Sequence, residues 1–194
     1  MLSMINLSLN LFKIEQGAYR LVPEPVDLLD LIRRLFVEFT SLASPRDLSC
    51  RLTVAGREPA LDAVVPVSGE RLLLYTMLAN CVKNALEASP KGGVVTVDVR
   101  PGDPTVIAVD NAGVVPPGLR QRFFEKYATE GKVGGTGLGA YSARRIAEAH
   151  GGMVGMETSD ETGRTRVWIS LPRGDVSEGV NLRLGSSGFV HSSQ

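Results

Sequence analysis

Apolar positions between residues 74 and 88 recur at helical spacing. Leu74, Met77, Leu78, Cys81, Ala85 and Ala88 form one stripe, about 100° around a helix of 3.6 residues per turn. Asn80 and Asn84 lie four residues apart, with Glu87 on the same side, so the three share a neighbouring face. The pattern predicts a helix with one side for the core and a polar row beside it, capped at its start by Ser68. A second amphipathic helix is expected over 29–43 through Leu31, Leu35, Phe39 and Leu42. A third, after residue 139, keeps Ala143, Ile146, Ala147 and His150 together. Residues 1–19 also read as a helix. Its stripe of Leu2, Ile5, Leu9 and Phe12, flanked by Met4, Leu7, Leu11 and Ile14, is too wide to face water and needs a partner.

Between these helices the period shortens. Residues 26–28 suggest a short edge strand, 48–54 alternate as a strand, and 63–67 form a short apolar run. Segments 94–100 and 105–110 flank the turn Gly102-Asp103-Pro104 and predict a hairpin; 152–158 and 164–171 predict another. Pro116-Pro117 open a short helix. Residues 126–136 are polar and glycine-rich, long enough for a lid, and 174–194 read as a poorly ordered tail. Strands and helices in this mix predict an α/β two-layer sandwich.

Composition narrows the function. The chain has 194 residues, enough for one domain with a full core. Lys+Arg and Asp+Glu both number 21, which gives no electrostatic case for nucleic acid. No apolar run is long enough to span a membrane and no secretory leader pattern opens the chain, so a cytoplasmic location is expected. Cys50 and Cys81 have neither metal nor disulfide spacing and are expected to be inert thiols. His150 and His191 are far apart, so no zinc site is suggested.

Three segments carry candidate chemistry. An asparagine oxygen is a neutral hard ligand suited to hydrated Mg²⁺, although Asn-x-x-x-Asn alone more often marks a solvated face. Gly134-Gly-Thr-Gly-Leu-Gly139 opens a helix, where free backbone N–H groups and a positive dipole end suit a phosphate chain. Val106 to Asp110 read as a buried strand delivering a carboxylate into a turn. That carboxylate can accept from an exocyclic amine such as that of adenine, or bond its own backbone.

Together and in this order, the segments resemble the nucleotide-binding domain of the sensor histidine kinases, within the superfamily of gyrase, Hsp90, histidine kinase and MutL ATPases. Arg122-Phe-Phe-Glu125-Lys-Tyr resembles the family's F box, Gly135-Thr-Gly-Leu-Gly139 its second glycine box, and Gly163-Arg-Thr165 the start of its closing strand. Phe12-Lys-Ile-Glu-Gln-Gly17 and Leu21-Val-Pro-Glu-Pro-Val-Asp27 resemble the junction that follows the family's dimerisation helices.

The resemblance implies a mixed sheet of about five strands with three long helices on one face. It implies residues 1–22 as the end of a dimerisation helix and linker, and 23–173 as the ATP-binding domain. Asn84 is expected to hold Mg²⁺ on ATP, with Asn80 supporting it. Asp110 is expected to read adenine, with Ala112 and Gly113 beside it and Thr165 ordering a water. Gly135, Thr136, Gly137, Leu138 and Gly139 are expected to wrap the phosphates, and Lys132 to approach the γ-phosphate.

Where the superfamily's hydrolases place a glutamate, Asn80 stands. An amide is no general base near neutral pH, which favours transfer to an imidazole over hydrolysis. The family's acceptor histidine lies upstream of the matched residues, so the expected partners are a histidine-bearing dimerisation domain and a response regulator. A weak homodimer through residues 1–19 is also expected.

The first glycine box departs from Asp-x-Gly-x-Gly, with Ala112 and Val114 at the glycine positions counted from Asp110. This motivates an alternative reading as a nucleotide-sensing module without kinase activity. A serine kinase of the anti-sigma-factor type is a third, which the N-terminal junction argues against.

Overall fold

The computed structural model describes residues 2–129 and 136–174, with side chains from residue 9 onward. Five strands form a mixed sheet: β2 (Ser49–Val54), β4 (Val94–Arg100), β5 (Thr105–Ala112), β7 (Arg164–Leu171) and β6 (Met153–Ser159), in that spatial order. β2 runs parallel to β4, and the remaining neighbours are antiparallel. Helices α2 (Leu28–Glu38), α4 (Arg71–Ala88) and α6 (Gly139–Ala149) cover one face, as expected. β1 (Glu24–Asp27) pairs with β3 (Pro66–Gly69) in a separate two-stranded ribbon.

Alternation along the strands decides what meets the helices. The register aligns Val97, Val109 and Val167 in one row and Val99, Ile107 and Ile169 in the next, all buried. Each buried aliphatic side chain contributes roughly 1.5–3 kcal/mol. The opposite face carries a row of Thr96, Asp110, Arg166 and Glu157.

α4 closes this core with Leu73, Leu74, Met77, Leu78, Cys81, Val82, Ala85 and Leu86. Its end is satisfied by one distant and one local side chain: Arg46 donates from Nη1 to the Leu86 carbonyl at 2.9 Å, and Ser89 Oγ donates to the Ala85 carbonyl at 2.7 Å. Its start corrects an expectation. Ser68 lies in β3, and Glu70 occupies the N-cap position without a side-chain capping bond.

The cap that does form is at α2, where Asp27 accepts from Leu29 N at 3.1 Å and Asp30 N at 3.3 Å. Asp27 also accepts from Val65 N at 3.0 Å and so ties the ribbon to the helix. The helix expected over 29–43 is two. α2 ends where Phe39 leaves helical geometry (φ −83°, ψ 4°), and α3 covers Thr40–Ala43. Thr40 Oγ1 donates back to the Phe36 carbonyl at 3.0 Å, a local bond that competes with helix continuation.

His150, at the end of α6, packs against the β3 turn. Its Nδ1 lies 2.8 Å from the Ile146 carbonyl, and its Nε2 accepts from Glu70 N at 3.1 Å. This pairing requires the neutral ring, and burial holds its pKa below the ordinary value. The folded state therefore disfavours the proton. The stability this gives is complete above the unfolded imidazole pKa of about 6.5 and is lost as pH falls below it. Urea unfolding midpoints are expected to drop between pH 7.5 and 5.5, and His150→Gln to remove that dependence. An equal drop in the variant would assign it to other groups.

Candidate functional site

α4, the start of α6 and the ends of β5 and β7 enclose a cavity of about 640 Å³. Asn80, Asn84 and Glu87 line it from α4, as the helical spacing requires. Thr136, Gly137, Leu138 and Gly139 line it from the opposite side. A Cβ on Gly139 would lie 3.5 Å from Asn80 Oδ1 and 3.6 Å from Asn84 Nδ2, so the start of α6 rests on the two asparagines. The first backbone N–H groups of α6 have no partner within the helix, and they open on this cavity.

Gly137 has φ +65°, and a Cβ there would come 2.5 Å from the Tyr127 backbone carbonyl carbon. The Tyr127 N–H donates to the Gly137 carbonyl at 3.1 Å, which clasps the two ends of the segment between them. Two expected phosphate ligands, Lys132 and Gly135, lie outside the described residues.

The expected base-reading residue requires a correction. Asp110 does not line the cavity. Its carboxylate is on the outer sheet face, where Arg166 donates to it from Nε at 2.8 Å and from Nη2 at 3.1 Å. The helix-facing row of β5 is Ile107, Val109 and then Asn111. Asn111 lines the cavity opposite Thr165, its register partner, and only 4% of its surface is exposed. Thr165 Oγ1 donates to the Gly113 carbonyl at 2.9 Å and lies 2.8 Å from Thr158 Oγ1.

Ala112, like Asp110, belongs to the outer row, where it pairs with Arg164. The left-handed backbone of the turn falls on Gly113 (φ 118°) and not on Val114. A Cβ on Gly113 would sit 2.7 Å from the Ala88 carbonyl oxygen, so only glycine fits against α4. Counted from Asn111, the box therefore reads Asn111, Gly113, Val115. The first glycine is kept, and the departures are an amide for a carboxylate and a valine for the second glycine.

Sequence reasoning missed further walls. Leu11 of α1 (Leu2–Glu15), Phe123, Ala88 and Val115 all line the cavity. Glu15 of α1 accepts from Lys126 Nζ at 3.0 Å, and that ammonium lies 5.8 Å and 5.5 Å from the ring centres of Tyr127 and Tyr141. The Lys126 hydrogen bond holds the Glu15 pKa below the ordinary value. Burial pushes the Cys81 thiol up to about 12, so it is a wall and not a nucleophile.

Among the described residues no cluster of three or more His, Cys, Asp or Glu could hold a metal ion. The hard oxygen donors that α4 offers the cavity are the amides of Asn80 and Asn84 with the Glu87 carboxylate beside them, a set that fits Mg²⁺ carried mainly by phosphates and water. No described helix is long and apolar enough to cross a membrane.

The family described as histidine kinase-, DNA gyrase B- and HSP90-like ATPases matches residues 69–175. The alginate biosynthesis sensor protein KinB of Pseudomonas aeruginosa is 30% identical over 172 residues, covering 87% of this chain and 28% of that protein. The sensor protein BasS of Escherichia coli K12 is 28% identical over 151 residues, covering 75% and 39% respectively. Among solved structures, the mycobacterial sensor histidine kinase MprB matches with TM-score 0.64 at 27% identity, over 78% of this chain and 97% of that one. The Acinetobacter baumannii histidine kinase AdeS shares the fold, with TM-score 0.70 at 16% identity over 88% and 77%. The chain belongs to the histidine kinase-, DNA gyrase B- and HSP90-like ATPase family. It spans well under half the length of these two curated relatives.

Proposed function

We propose that this chain is the ATP-binding catalytic domain of a two-component sensor histidine kinase, and that it positions Mg-ATP for transfer to a histidine outside the chain. The observation that carries this is the packing of the α6 start over Asn80 and Asn84, so close that a Cβ added at Gly139 would already touch both amides. It sets a phosphate-binding helix start directly against an amide pair. Phosphoryl transfer asks a protein mainly for positioning and charge neutralisation. The backbone of Gly137 and Gly139 meets the phosphates, Asn84 Oδ1 holds the cation and Asn80 orients Asn84. Mg²⁺, when bound, would supply charge neutralisation for the transfer. Gly135, Thr136 and Lys132 complete the phosphate end in this reading. Because Asn80 cannot take a proton from water, the nucleophile has to bring its own basicity, as an imidazole does.

The role calls for a signalling partner set, an upstream dimerisation domain that carries the acceptor histidine and a response regulator, in keeping with two relatives named sensor proteins. Leu9 and Phe12 of α1 are 52% and 58% exposed and offer that domain, or a second copy, an apolar edge. A cytoplasmic location follows from this role.

Incubation with γ-labelled ATP and candidate dimerisation domains tests the proposal. Acid-labile label is expected on the acceptor, with little on this chain and slow release of phosphate. Acid-labile label on this chain alone, lost in His150→Ala without loss of ATP affinity, would overturn it. A second reading, a nucleotide-sensing module without transfer, is favoured by Asn111 and Val115 in the altered glycine box. It is selected if nucleotide binds with or without Mg²⁺ and no acceptor is labelled.

A further inference from the structure

The nucleotide reading of the cavity leaves open how the base is recognised, and β5 answers this in a way the motif does not. Both oxygens of Asp110 are engaged by the Arg166 guanidinium on the far face of the sheet. Turning that carboxylate toward the cavity would need a one-residue slip of β5 against β7. The slip would send Ile107 and Val109 out of the core. The polar group that the strand presents to the cavity is Asn111, with Val115, Ala88 and Val167 as apolar walls around it.

The Asn111 amide is held on one side only. Nδ2 donates to the Ala112 carbonyl at 2.8 Å, while Oδ1 accepts no hydrogen bond among the described residues. The group left for a ligand is a neutral acceptor, beside the Thr165 hydroxyl.

Resting on the nucleotide reading above, we infer that Asn111 is the residue that sets base specificity, and that it reads the purine edge with an uncharged amide. Adenine donates from N6 to Oδ1 and is accepted as the side chain stands. Guanine presents an oxygen at the same place. A carboxylate can only repel that oxygen, whereas an amide can turn and donate from Nδ2. The turn gives up the neutral hydrogen bond to Ala112 and sets Oδ1 toward that carbonyl oxygen. The site therefore still prefers adenine, by about tenfold, while a carboxylate would exclude guanine more strongly. It also binds ATP about 3- to 30-fold more weakly than the same site with a charged acceptor.

Calorimetric titration of the full chain with Mg-ATP and Mg-GTP tests this, using wild type, Asn111→Asp, Asn111→Ala and Asp110→Asn, each checked for a cooperative melt. Asn111→Asp is expected to tighten ATP about 3- to 30-fold and to weaken GTP. Asn111→Ala, which adds no buried charge, is expected to weaken both about fivefold. Asp110→Asn is expected to change neither. Loss of ATP in Asp110→Asn, with an unchanged ATP-to-GTP ratio in both Asn111 variants, overturns the inference and leaves the nucleotide site standing. Binding of ATP by Asn111→Asp alone supports it. Absence of binding in every variant and in wild type removes the nucleotide reading, and this inference with it.

Discussion

Replacing Asn84 by alanine is expected to lower Mg-dependent phosphoryl transfer to an acceptor histidine by about 100-fold or more. Loss of a cation ligand or its orienting partner costs one to two orders of magnitude, and the cation's own charge neutralisation is worth several kcal/mol. Folding should scarcely notice. Asn84 faces the cavity, while the buried side chains of Met77, Leu78, Cys81 and Leu86 that anchor α4 are untouched. Single-turnover transfer with a melting curve on the same sample separates the two effects. Equal transfer rates in wild type and Asn84→Ala would remove Asn84 from the phosphate end of the site.

Asp110→Ala provides the contrast. It breaks an ion pair whose arginine side chain is 43% exposed, so solvent screening leaves it worth no more than about 1 kcal/mol. Nucleotide affinity should hold. The sequence motif suggests the reverse ranking of these two positions, and the reason for the difference is physical.

The α4 row was legible because a helix separates its faces by 100° per residue. Asn80 and Asn84 could not point anywhere but together once the apolar stripe was assigned. The end of β5 was harder to read. Val106, Ile107, Ala108 and Val109 are all apolar, so the run carries no visible alternation. Asp110 and Asn111 follow as two polar residues of similar shape, and a shift of one residue exchanges their faces. The cross-strand register supplies what the letters lack: Asn111 sits opposite Thr165, and Asp110 opposite Arg166. Longer-range closures were invisible for the same reason. The Arg46 cap on α4 spans 40 residues, and the Tyr127–Gly137 clasp depends on two loop backbones meeting. Neither leaves a periodic trace in the sequence. The spacing predicts one helix over 29–43 because Phe39 and Leu42 continue the apolar pattern, although α2 ends at Glu38 beside the local Thr40 bond.

The second large effect concerns α1, which the resemblance places outside the ATP-binding domain as the end of a dimerisation helix. In the structure Ile14 is 6% exposed within the core, Leu11 lines the cavity, and α1 lies against α6. Just beyond it, Tyr19 donates its hydroxyl to Glu70 Oε1 at 2.6 Å, at the N-cap of α4, and burial raises that phenol to about 12. Removal of residues 1–19 takes away all of these contacts at once. Large-to-small changes at sites like Ile14 cost about 2–4 kcal/mol, so the truncated chain should lose at least that much stability. It should also bind ATP roughly fivefold more weakly, through loss of the Leu11 wall. Ile14→Ala should reproduce most of the stability loss while leaving affinity nearly unchanged, and Leu11→Ala the reverse. Urea unfolding and nucleotide titration on the three variants measure both quantities. If the truncated chain keeps its stability and its affinity, α1 is a separable junction after all. If it loses both in the proportions given, the position of this helix is coupled to the nucleotide through Leu11, so that movement in a domain attached before α1 would reach the cavity directly.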